Sequence, residues 1–289
     1  MTDNLRGSLF MVAAMLGFAI EDMLLKRVAG TGVPVGEVLM LFGGGGMLLF
    51  AALTRRSGQP LWHPAVLAPR MLWKAGFEVA GRLFYTLAIA LTPLSTASAI
   101  LQATPLVVVA GAALIFGERV GWRRWTAILV GLGGVLLILR PGLEGFSAAS
   151  LLAVAGLLGF AGRDLATRAA PKVLSNLQLG IYGFAAMVPT GAGLLLWEGG
   201  AVVPAALQWA ELAGAVCVGV FAYWALTVAM RTGEVSVVTP FRYTRLLFAL
   251  VLGMVVFHER PDAATLAGSA IVVAAGVFTL WRGRVALRG

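Results

Sequence analysis

The 289-residue chain is 60% hydrophobic and only 12% charged, with a mean hydropathy of +0.91, which excludes a water-soluble catalytic module and points to a membrane protein. A bilayer core about 30 Å thick takes about 20 apolar residues per helical crossing, so this length holds roughly ten crossings and no sizeable extramembrane domain. The formal charge of +9 is scattered at the ends of apolar runs without forming a basic tract, so nucleic acid is not an expected partner.

In chain order, hydropathy and the charged or Pro/Gly breaks predict spans at 8–27, 35–54, 72–92, 94–117, 122–140, 150–169, 176–197, 210–230, 233–257 and 263–281. The first follows Met1 to Arg6 directly, with no small-residue cleavage site behind it, and is expected to stay in the protein. Turn chemistry at Gly30-Thr31-Gly32-Val33-Pro34 separates it from the second, whose run from Gly43 to Gly46 can pack within the chain or against another copy. The longest loop, 55–71, is basic and Pro-rich, and Arg140-Pro141-Gly142 and Ala170-Pro171-Lys172 stop the fifth and sixth helices. The single cysteine, Cys217, lies in the eighth span and permits neither an intramolecular disulfide nor a cysteine-based metal cluster. Across these spans fourteen Lys and Arg, among them Arg6, Lys74, Arg124, Arg168 and Arg288, flank one side of the membrane. Only Lys26, Arg27, Arg140 and Arg260 flank the other, so both termini are expected in the cytoplasm.

The chain also repeats itself. Gly17-Phe18-Ala19 with Asp22 and Lys26 matches Gly159-Phe160-Ala161 with Asp164 and Arg168 at an offset of 142. Phe116-Gly117-Glu118-Arg119 matches Phe257-His258-Glu259-Arg260 at 141, and Gly134-Val135 with Arg140 matches Gly276-Val277 with Arg282 at 142. Five spans per repeat is an odd number, so the second copy enters the membrane with opposite orientation. The expected fold is therefore an all-α membrane protein: ten transmembrane helices, arranged as two inverted five-helix repeats (1–142 and 143–289) around a central cavity.

These features resemble the drug/metabolite transporter superfamily, in its ten-helix branch of two EamA-type domains. The resemblance rests on the paired repeats, the Glu-Arg pair closing each fourth helix, and Phe241-Arg242-Tyr243-Thr244-Arg245 running to Gly253 and Phe257-His258-Glu259-Arg260-Pro261. It covers nearly the whole chain, and it implies export of amino acids or other metabolites across a bacterial inner membrane.

Charges inside spans are costly, roughly 2.5 to 3.5 kcal/mol each on insertion scales, so they are expected to face a cavity or a partner. Arg82 has Glu78 at i−4 and Tyr85 at i+3 on one stripe of the third span. Arg242 and Arg245 follow Pro240 in the ninth, the sixth supplies Arg163 and Asp164, and the first supplies Glu21 and Asp22 nearer its outer end. Four loosely paired arginines suit a carboxylate or phosphate, and an amino acid's ammonium is left to Glu78, Asp22 or an aromatic face. Phe18, Phe160, Tyr85, Trp224 and Tyr243 are candidates for an aromatic wall, and Gln102 adds a neutral donor and acceptor.

A structural reading stands beside each of these. Glu78 and Arg82 can neutralise each other, the other arginines can bond helix carbonyls or Glu21 and Asp22, and the aromatics can be packing. Glu21 and Asp22 read as a solvated mouth, and Glu118 and Glu259 as helix-end residues bonded to backbone or to Arg119 and Arg260. Pro105 and Pro240 are expected to weaken their helices.

No phosphate-binding glycine loop, dinucleotide fingerprint or H-E-x-x-H occurs, so no cofactor, metal or enzymatic activity is expected. The expected partners are the bilayer and a small-molecule substrate, with broad-specificity amino acid export the leading reading. A multidrug or cation exporter, and an intramembrane enzyme on lipid-linked substrates, are the competing ones. Proton coupling through the embedded carboxylates and facilitated diffusion both stay open.

Overall fold

The computed structural model describes residues 2–91, 100–101, 103–118, 120–139, 150–256 and 263–286. Gln102, Arg119, His258, Glu259 and Arg260 lie outside them. Among the described residues there is no strand. The helices are α1 (Asp3–Gly30), α2 (Val35–Arg56), α3 (Pro69–Leu91), α4 (Thr104–Phe116), α5 (Trp122–Leu139), α6 (Ser150–Arg168), α7 (Asn176–Glu198), α8 (Ala206–Thr232), α9 (Val235–Val238), α10 (Thr244–Val256) and α11 (Ala263–Ala286). Four of them, α1, α2, α7 and α8, are long and apolar enough to cross a membrane, while α4 and the Leu266–Ala275 stretch of α11 are shorter and apolar.

Local chemistry sets the ends. The Thr2 hydroxyl accepts from Leu5 N at the start of α1. Ser175 and Gln178 cap α7 reciprocally, side chain to backbone in both directions. Gly117 at φ 66° and Gly199 at φ 92° end α4 and α7 in the left-handed conformation that favours glycine. The two prolines expected to weaken helices act differently. Pro105 sits in the first turn of α4, where its missing N–H breaks no ladder bond. Pro240 lies in a 3₁₀ segment, Thr239–Tyr243, that interrupts the predicted ninth span between α9 and α10.

The main helix pairs are α1 with α8, α3 with α6, α2 with α7, and α5 with α11. Lipid offers no hydrophobic drive between helices, so such pairs depend on close backbone approach at small residues. A Cβ on Gly17 of α1 would lie 2.7 Å from the Ala222 Cβ of α8, and one on Gly159 of α6 would lie 2.6 Å from the Gly81 Cα of α3. Gly36 and Gly191 bring α2 against α7 in the same way, each placing a Cβ 2.7 Å from the other's carbonyl oxygen. The run from Gly43 to Gly46 packs within the chain. Gly43 and Gly46 meet Phe184 and Met187 of α7, Gly45 meets Val216 of α8, and only Gly44 looks onto open space.

Candidate functional site

Where α1, α3, α4, α6 and α10 converge they enclose a cavity of about 180 Å³. Phe18 and Asp22 reach it from α1, Arg82 and Tyr85 from α3, and Phe160 and Arg163 from α6. Thr104 and Pro105 line it at the start of α4, and the interrupted ninth segment supplies Arg242, Arg245 and Leu246. The 3₁₀ segment ends at Tyr243, so Arg242 and Arg245 flank its junction with α10 and still share one cavity. Two phenylalanines at the repeat offset carry guanidinium groups over their rings: Arg245 over Phe18 at 5.3 Å, Arg163 over Phe160 at 4.9 Å and Arg82 over Phe160 at 5.9 Å. Tyr85 meets Phe160 edge to face at 6.0 Å. Among the described residues the wall thus holds four arginines and one carboxylate, Asp22.

Behind the wall lies a continuous ionic chain. Arg163 donates to Asp164 Oδ1 at 2.9 Å and to Glu78 Oε1 at 3.4 Å, and Arg242 donates to Asp164 Oδ2. Glu78 Oε2 accepts from Tyr223 at 2.9 Å and from Lys74 at 3.3 Å, and the Lys74 Nζ also donates to Tyr223 Oη at 2.7 Å. Lys74, Glu78, Asp164 and Tyr223 are all buried. Separately, Arg245 pairs with Asp22, and Arg82 lies 3.7 Å from Glu21. Five cations therefore meet four carboxylates, and for the buried members unpaired charge is costly and hydrogen-bonded pairs are held rigidly.

Seven predicted site residues, Phe18, Arg82, Tyr85, Phe160, Arg163, Arg242 and Arg245, come together on this wall. Glu78 and Asp164 stand behind it as carboxylate partners of its arginines. Trp224 and Tyr243 are placed elsewhere. Trp224 packs edge to face on Phe10 at 5.4 Å, and Tyr243 is buried beside Gly131, Val272 and the Ile128 carbonyl.

Several pairings differ from expectation. Glu78 joins Lys74 and Arg163 instead of neutralising Arg82, which lies toward Glu21 on another helix. Glu21 is only 1% exposed and so belongs to the interior, while Asp22, at 52% side-chain exposure, fits the expected mouth. Lys74, read from sequence as a basic flank, is 2% exposed. Sequence reasoning also missed Tyr223, whose hydroxyl anchors Glu78 from α8; a tyrosine amid an apolar span was the available signal.

At the end of the bundle where α1 begins, Glu118 accepts from the Val235 and Ser236 N–H groups at 3.2 and 3.3 Å and lies 3.8 Å from Arg168. Arg124 bonds Glu234 and Ser236, and the Asn4 side chain accepts from Glu234 N. The expectation that Glu118 bonds backbone holds, but the backbone belongs to α9, more than a hundred residues away.

A helical bundle with this apolar surface and a charged internal cavity is the architecture of a membrane transporter, and comparison with known proteins agrees. The EamA-like transporter family matches the chain twice, over residues 5–140 and 147–281. The pseudopaline exporter CntI of Pseudomonas aeruginosa is 30% identical over 273 residues, covering 93% of this chain and 94% of its own. A riboflavin transporter of Vibrio cholerae is 27% identical over 96% of this chain and 94% of its own. An S-adenosylmethionine uptake transporter of Rickettsia prowazekii is 25% identical over 70% and 68%. One crystal structure shares the fold at TM-score 0.82 and 21% identity, covering 95% of this chain and 98% of its own. The chain belongs to the EamA-like transporter family of the drug/metabolite transporter superfamily and is a membrane transporter of small molecules.

Proposed function

We propose that the chain exports amino acids, aromatic ones included, and related metabolites across the bacterial inner membrane. In this reading both termini are cytoplasmic, and two inverted five-helix halves, 1–142 and 143–289, alternate access to the cavity between them. The observation that carries the proposal is the cavity wall: four arginines and one exposed carboxylate among phenylalanines, drawn from both halves. Guanidinium groups suit a carboxylate and Asp22 an ammonium, whereas a cation exporter calls for a net anionic wall.

Two features support the paired halves. The family matches twice, and the helix pairing maps onto itself when the halves are exchanged, α1–α8 becoming α6–α3 while α2–α7 and α5–α11 are kept. Substrate contact is assigned to Phe18, Arg82, Tyr85, Phe160, Arg163, Arg242 and Arg245, with Glu78 and Asp164 orienting the arginines. Gln102, next to the wall residue Leu101, stays in the set, and Trp224 and Tyr243 support the walls through packing.

The test is transport by purified protein in liposomes, with labelled amino acids, with and without a pH gradient. Labelled amino acids should cross, unlabelled ones should compete, and a gradient dependence would establish proton coupling. Failure of amino acids to cross or compete while another solute does would refute the assigned cargo.

A further inference from the structure

The four arginines of the wall are not equivalent. Arg163, Arg242 and Arg245 each hydrogen-bond a carboxylate. Besides its place over the Phe160 ring, Arg82 makes only the 3.7 Å approach of Nη2 to Glu21 Oε1, and its Nε is buried without a hydrogen-bond partner among the described residues. Glu21, 1% exposed, is no better served, because its Oε2 also lacks a partner among the described residues. That oxygen lies against the backbone of α8 at Gly219, where a Cβ would stand 3.0 Å from it. Buried polar atoms are almost always bonded, so a pair with one bare atom on each partner calls for a reason. An ion pair set apart in this way has no hydrogen bond to lose when a competing anion takes the guanidinium donors, and Arg82, which stays beside Glu21, remains the counter-charge of that buried carboxylate.

We propose that Arg82 is the anchor for the substrate carboxylate, with Glu21 as its resident counter-ion, replaced by the ligand's carboxylate on binding. The inference rests on the amino acid reading above. Both Arg245 donors fall on Asp22 Oδ2, which leaves Oδ1, on a half-exposed side chain of the same wall, for the ligand's ammonium. Arg163 and Arg242 then serve as a fixed cationic floor locked by Asp164. The cavity selects a zwitterion by two ends, one on Arg82 and one on Asp22.

The experiment measures equilibrium binding of L-phenylalanine and of L-phenylalaninamide, which lacks the carboxylate, to the detergent-purified full chain. Wild type, Glu21→Gln, Arg82→Gln and the double variant are compared. The double variant removes both charges of the buried pair and so keeps the fold even where Arg82→Gln alone leaves Glu21 uncompensated. Wild type should favour phenylalanine over its amide by about tenfold or more, the scale of a charged hydrogen bond. Glu21→Gln should bind phenylalanine more tightly, since the competing carboxylate is gone, and the double variant should lose the preference for the acid. A double variant that retains the wild-type preference, or a Glu21→Gln protein that binds more weakly, overturns the inference and leaves the amino acid reading standing. Wild type that binds neither compound refutes that reading, and the inference with it.

Discussion

Replacing Lys74 by Met tests whether the chain Lys74–Glu78–Arg163–Asp164–Arg242 holds the bundle together as a unit. At 3.3 Å and an effective dielectric constant of about 20, the Lys74–Glu78 attraction is about 5 kcal/mol before desolvation is charged against it. Removing one member of a buried pair costs about 3–5 kcal/mol, because the survivor stays buried. Here Glu78 keeps Tyr223 and Arg163, so Lys74→Met should fall at the lower end, about 3 kcal/mol. Glu78→Gln should cost at least as much, since it leaves the buried Lys74 without a carboxylate and keeps one acceptor oxygen where Lys74, Tyr223 and Arg163 now share two. The double variant leaves no charge unpaired at these two positions and should be less destabilised than the sum of the singles by about 2 kcal/mol or more. At roughly 2–4 °C per kcal/mol for a chain of this size, each single lowers the melting temperature by about 6–12 °C in detergent, and the double by clearly less than their sum. Strict additivity in that assay would refute the idea that these side chains form one ionic unit.

Four further outcomes follow, three from the surroundings of single residues and one from the distribution of basic residues. Gly191→Ala places a methyl 2.7 Å from the Gly36 carbonyl oxygen and 2.9 Å from the Met40 Cα, and should cost about 1–3 kcal/mol of thermal stability in detergent. Gly193→Ala, two residues on and facing open space, should stabilise by about 0.4–1 kcal/mol. Glu118→Ala frees the N–H groups of Val235 and Ser236, so a Ser236→Cys reporter in a Cys217→Ser background should react several-fold faster with a maleimide than it does with Glu118 intact. Fluorescent-protein fusions at either terminus should fluoresce and alkaline phosphatase fusions should stay inactive, as cytoplasmic ends require.

How much was legible in the sequence depended on whether a residue's partner lies on its own helix. Four apolar spans, α1, α2, α7 and α8, followed from composition, and the break at Pro240 from a missing N–H. Seven of the proposed contact residues share one cavity wall, and the signal for four of them was an arginine deep in an apolar run, where charge is costly. Helical spacing ranks only same-helix neighbours, so it paired Glu78 with Arg82. The fold instead gives Glu78 to Lys74, Tyr223 and Arg163, and turns Arg82 toward Glu21, from a helix far off in sequence. Lys74 read as a loop flank because a lysine at a span edge usually reaches water, and the tyrosine that draws it inward stands 149 residues away.

The offset of 142 separates what the scaffold needs from what the wall needs. Gly17 and Gly159, Phe18 and Phe160, and Asp22 and Asp164 are equivalent, and the first pair makes equivalent close approaches, to α8 and to α3. The charged positions diverge. Arg163 stands where the first copy has Glu21, Arg82 where the second has Trp224, and Arg242 and Arg245, in the span whose copies match at 141, where the first has Leu101 and Thr104. Close helix contact depends on size, and Gly17 and Gly159 are kept at that position in both copies. A wall made of two identical copies would offer every charged group twice, and a ligand with one carboxylate and one ammonium would have two equivalent orientations in it. Reversing the charge at one equivalent pair and discarding it at three others leaves, among the described residues, a single cationic side and a single exposed acid, the arrangement that the proposed zwitterionic substrate would read in one direction.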